Sequence, residues 1–66
     1  MASEAIKKIN AKIAMLKILM KARQNMAKKI ESTSPKSAAR ERQRAATIAF
    51  AIAHLEELKR ELEQEV

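Results

Sequence analysis

The 66-residue chain contains no glycine, cysteine, tryptophan or tyrosine, one proline and one phenylalanine. Each absence closes an option. Without cysteine there is neither a disulfide framework nor a thiolate zinc site, two of the staples on which domains of this size rely, and oligomerisation is the staple that remains. With no Cys or Tyr, a single His and no conspicuous carboxylate pair, nothing supplies a nucleophile together with a base and an orienting group, so no enzyme is expected and no catalytic residue is assigned. No segment approaches the roughly 20 apolar residues of a membrane span. The opening Met-Ala-Ser-Glu-Ala also lacks the apolar core of a secretory signal, so a soluble protein of cytoplasmic type is expected.

What is present is mostly Ala, Lys, Glu, Arg, Ile, Leu and Met, with 47% of residues apolar and 33% charged. These are strong helix formers, and no strand-like alternation interrupts them, so the fold class is all-α. Residues 1–66 read as one helical hairpin. The first helix spans about 3–30, opened by Ser3 and Glu4, and the loop covers about 31–34. The second helix spans about 35–65, with Ser34 as N-cap and Pro35 in the first helical position. So short a loop folds the helices back antiparallel.

Apolar residues recur at steps of three and four. In the first helix the main stripe is Ile6, Ile9, Ile13, Leu16, Met20, Ala27 and Ile30, with Arg23 in a seam position. In the second it is Ala45, Ile48, Ile52, Leu55, Leu58, Leu62 and Val66. This heptad-like spacing is the kind a coiled coil uses, and it marks Ile6, Ile9, Ile13, Leu16, Met20, Ile48, Ile52, Leu55 and Leu62 as the core within one chain. Each helix then has a second apolar face. The first adds Ala11, Met15, Ile18, Leu19, Ala22 and Met26; the second adds Ala39, Ala46, Ala49, Phe50 and Ala53. Residues 45–55 are apolar on nearly every side, and a two-helix chain cannot wrap such a run by itself. Ala39, Ala46, Ala49, Phe50 and Ala53, with Met15, Leu19, Ala22 and Met26, are therefore the candidate oligomer interface.

The formal charge of +6 is carried wholly by residues 21–44, because the remaining residues sum to zero. The second helix is basic in its first turns and acidic in its last, against its own macrodipole. Antiparallel pairing with the second helix of another copy, centred near Phe50 and Ala51, sets Arg44 across from Glu57 and Arg40 across from Glu61. The simplest expectation is a two-fold dimer of hairpins forming a four-helix bundle, with trimers or larger rings as alternatives. Arg23, Gln24 and Asn25 are placed to face Gln43 or Arg44 across the hairpin in a polar network.

Two other functions have some footing. Lys36, Arg40, Arg42 and Arg44 near a helix N-terminus suggest a phosphate-binding patch, and the hairpin-dimer shape is similar to the Rop family of RNA-binding plasmid regulators. That likeness is architectural, and one phenylalanine offers little for stacking on bases. His54, with Thr47 one heptad before it, is the candidate ligand for a haem or porphyrin, and with Glu57 and Glu61 for a divalent ion. Its plain alternative is a surface or interface histidine, and no cofactor or metal is assigned. As a whole the chain resembles de novo designed helical-hairpin oligomers: no glycine, a Ser34-Pro35 helix start, uninterrupted helix formers and a Leu-Glu-Glu-Leu-Lys-Arg-Glu-Leu-Glu-Gln-Glu ending. The resemblance implies a structural self-assembly module without a natural activity.

Overall fold

A computed structural model describes residues 3–64, which form helix α1 (Ser3–Ile30) and helix α2 (Pro35–Gln64), packed antiparallel as a hairpin. The rod extends 51 × 14 × 9 Å over its Cα atoms. Its radius of gyration is 15.2 Å, against about 11 Å for a compact chain of this length. The connection needs no glycine, since no described residue has a positive φ. The Ile30 carbonyl oxygen instead accepts hydrogen bonds from the backbone N–H groups of Thr33 (3.2 Å) and Ser34 (2.7 Å). It also accepts from the Thr33 hydroxyl (3.3 Å), so the end of α1 is satisfied locally. Pro35 then opens α2, where its missing N–H costs nothing. The Ser34 hydroxyl donates to Ser37 Oγ at 2.9 Å rather than taking a backbone amide. The capping role read for the Ser3 side chain, and Glu65 and Val66 at the far end, lie outside the described residues.

The helices meet along a narrow seam that follows alternating three- and four-residue steps. On α1 it comprises Ile6, Ile9, Ile13, Leu16, Met20, Arg23, Ala27 and Ile30, all buried or half-buried. On α2 it comprises Ala38, Glu41, Ala45, Ile48, Ile52, Leu55, Lys59 and Leu62. Ile9, Ile13 and Ile52 form the buried centre, with Leu16, Met20, Ile48, Leu55 and Leu62 packed against it. Toward the loop the seam narrows to Ala27, Ala38 and Ala45, small side chains that let two backbones come close.

One seam position departs from the sequence expectation. Leu58 is 40% exposed and Lys59 occupies the seam in its place. The reason is phase: after Leu55 the next step is four, and a residue three along is turned out by about 100°. Lys59 tolerates the position because its aliphatic stem packs while the ammonium reaches water.

With three isoleucines at its centre, the hairpin has little to lose. Ile52→Ala should lower the free energy of unfolding by about 2–3 kcal/mol, at the low end for such truncations because the seam is shallow enough to collapse around the gap. Urea melts followed by helical circular dichroism check this, and an unchanged midpoint would show that the seam is not the source of stability.

Candidate functional site

The described residues contain no enclosed polar centre. Polar structure is concentrated in one cluster near the loop. Arg23, in a seam position of α1, donates to Glu41 Oε2 at 3.0 Å, and Arg44 donates to Oε1 of the same carboxylate at 3.1 Å. The Glu41 side chain is 13% exposed, the least exposed member of the three. Arg42 pairs with Glu31 at 2.8 Å on the outside of the loop end. Glu41 is the partner of Arg23, in place of the Gln43 or Arg44 contact expected from sequence, and Gln24 and Asn25 are exposed. A carboxylate and a guanidinium facing each other in an apolar seam are matched in only one alignment of the helices, so the pair favours this register. Arg42 and Arg44 of the expected phosphate patch are held by these carboxylates. Lys36 and Arg40 are exposed and make no ion pair among the described residues.

His54 is exposed on the outer side of α2, and its neighbours one turn away are Phe50 and Leu58, both exposed. Among the described residues no three His, Cys, Asp or Glu side chains group as a metal site, so the structure does not assemble His54, Glu57 and Glu61 into one. Thr47 donates to the Gln43 carbonyl at 3.1 Å.

The most prominent surface feature is apolar. Phe50 is 79% exposed and Ile18 72%, and Met15, Met26, Leu19 and Leu58 are exposed between 40% and 59%. The smaller members of the candidate interface, Ala22, Ala39, Ala46, Ala49 and Ala53, are all exposed as well. The hairpin presents 5286 Å² of accessible surface, whereas a compact monomer of 7.4 kDa presents about 4,200 Å². The difference is of the order of one protomer's share of a standard protein interface, about 800 Å².

The structure divides this apolar set between two sides of the rod. Two shallow grooves run along one flank. One is lined by Met20, Lys21, Gln24, Arg42, Ala45 and Ala49, the other by Asn10, Lys17, Glu56, Lys59 and Glu63. Ala39, Ala46, Ala49 and Ala53 lie on that flank of α2 or just outside it, with Phe50 pointing away from α1. On α1 the same flank is basic, with Lys17, Lys21 and Lys28. Leu19 and Met26 stand roughly 150° around α1 from Gln24, at about 100° per residue. They belong to the opposite flank, with Met15, Ala22 and the outermost Ile18 beside them. Phase alone carries this distinction, and it required knowing which stripe each helix buries.

Comparison of the chain with protein-family models, with curated proteins and with solved structures gives no match. No helix among the described residues is long and apolar enough to cross a membrane.

Glu41 offers a direct check on the seam pair. Glu41→Leu strands Arg23 against an apolar surface and should cost roughly 1 kcal/mol, a modest value because Arg23 is partly solvated. Adding Arg23→Leu should recover that loss or more, so a double-mutant cycle in urea should return a clear coupling energy. Additive effects would show that the two residues do not act as a pair.

Proposed function

We propose that this chain is a structural self-assembly module that homo-oligomerises through its exposed apolar and Ala-rich helix faces and catalyses no reaction. The observation that carries the reading is the exposure of Phe50, Ile18, Met15 and Met26 on a rod whose own seam buries three large side chains. Apolar surface of this extent is stabilised by removal from water at about 25 cal/mol per Å². A second copy is the one partner whose presence the chain itself guarantees, and the charge pattern of α2 favours particular orientations of that copy. In this reading the protein belongs with de novo designed helical oligomers, whose function is the assembly. The unbroken three-four seam and the glycine-free connection support that placement.

The rival reading, binding of a nucleic-acid phosphate backbone at the basic loop end, responds oppositely to salt. Apolar association should persist when salt is raised from 0.1 to 0.5 M, whereas backbone binding should weaken steeply. Sedimentation at micromolar concentration should show an oligomer under both conditions. Phe50→Glu should reduce its mass while leaving the helical circular dichroism of the hairpin in place. A wild-type chain that sediments as a folded monomer would refute the proposal.

A further inference from the structure

Building on self-assembly, we infer that copies dock side by side in the same direction, the Ala-rich face of α2 on the Met15–Ile18 face of the next copy's α1, so that hairpins join through unlike faces and run beyond a two-fold pair. Two apolar faces lie on opposite sides of one rod, and a single two-fold contact between like faces covers only one of them. Pairing α2 with α2 leaves Met15, Ile18 and Met26 in water. Pairing α1 with α1 brings together helices that each carry eight basic residues and, within the described range, one acidic residue, Glu4. The face on α1 calls for a neighbour that is apolar in the middle and carries an acid opposite Lys8 and a base opposite Glu4. The α2 face has that composition.

Register makes the match specific. Arg23 and Glu41 touch, which sets a common level on the two helices. Counting equal steps away from that pair in a parallel array, Ile18 stands level with Ala46 of the next copy, Met15 with Ala49 and Ala11 with Ala53. All six are exposed in the hairpin. Large side chains on α1 meet small ones on α2, and Phe50 falls level with Ala14, beside Met15, where thioether and ring make a favourable contact. Beyond the apolar stretch, Lys8 stands level with Glu56 and Glu4 with Arg60, two opposite-charge pairs from four exposed side chains. Toward the loop Asn25 meets Ala39 and Ala22 meets Arg42, which is already held by Glu31. No like charges oppose each other along this stripe. A contact between two different surfaces repeats from copy to copy, so assembly runs beyond two and stops only where the rotation at each contact closes the array.

Mixing one-sided variants tests this. Ile18→Glu spoils only the α1 face and Phe50→Glu only the α2 face. Both residues point into solvent in the hairpin, so circular dichroism should show that each variant keeps its helices. Wild type should sediment as a species of three or more copies. Each variant alone should associate at least roughly tenfold more weakly, and an equimolar mixture should recover a one-to-one complex through the single intact contact. Lys8→Glu should weaken wild-type assembly several-fold, and Glu56→Lys added in the same chain should restore it. A wild-type dimer that survives Ile18→Glu but is lost with Phe50→Glu would overturn the unlike-face contact in favour of α2–α2 pairing while leaving self-assembly standing. A wild-type monomer would overturn both.

Discussion

A helix buried along one seam hides an apolar stripe little more than 100° wide, and everything else about this protein follows from that limit. Two helices joined by four residues have only each other to pack against. The seam between them takes one stripe from each and leaves the remaining circumference to solvent. Here α2 carries Ala39, Ala46, Ala49, Phe50 and Ala53 outside the seam, and α1 carries Met15, Ile18, Leu19 and Met26. The surplus is a property of the one-seam geometry and not of a loose core, since the seam positions themselves are filled in regular order.

The contents of that seam also govern what the outer surface looks like. The four-residue loop and the taper of the seam from isoleucine to alanine limit how far one helix can slide along the other. Arg23 and Glu41 add a polar match to that limit. Slipping the helices by seven residues in either direction would leave the carboxylate facing Leu16 or Ile30 and the guanidinium unpartnered beside apolar neighbours. The polar pair thus helps to set which residues of α1 and α2 share a level, and hence the order of charges and apolar side chains that a neighbouring molecule meets. One partly exposed ion pair adds little to stability but favours the observed alignment.

The hairpin and the α1 seam were legible in the sequence because one apolar stripe there runs at steps of three and four from Ile6 to Ile30, and Ser34-Pro35 marks a single break. The α2 seam was less so. Leu58 is the more apolar residue, yet Lys59 has the right phase, and hydrophobicity judged residue by residue favours the wrong one of the two. The partner of Arg23 could not be read either: Glu41, Gln43 and Arg44 are all within reach along the chain, and only the register of the folded pair chooses Glu41. The division of the outer apolar residues onto opposite flanks has the same origin. Met15 and Phe50 look equivalent as exposed apolar residues on their own helices, and their relation appears only when both helices are rotated to place their seams face to face.

The charge layout of the helices has a physical account in the same terms. α1 is built as its macrodipole prefers, with Glu4 in the first turn and Lys28 and Lys29 in the last. α2 has no acidic residue in its first turn and no basic one in its last. At the loop end this is repaired within the hairpin, where Glu31 and Glu41 lie against Arg42, Arg44 and Arg23. At the other end it is not: Glu56, Glu57, Glu61 and Glu63 form no ion pair among the described residues. Four carboxylates gathered toward the negative end of a helix are unfavourable to the isolated hairpin. In the proposed array Lys8 of the adjacent α1 stands level with Glu56, one of these carboxylates. In that array the arrangement that is costly for one molecule alone tells a neighbour which way to face.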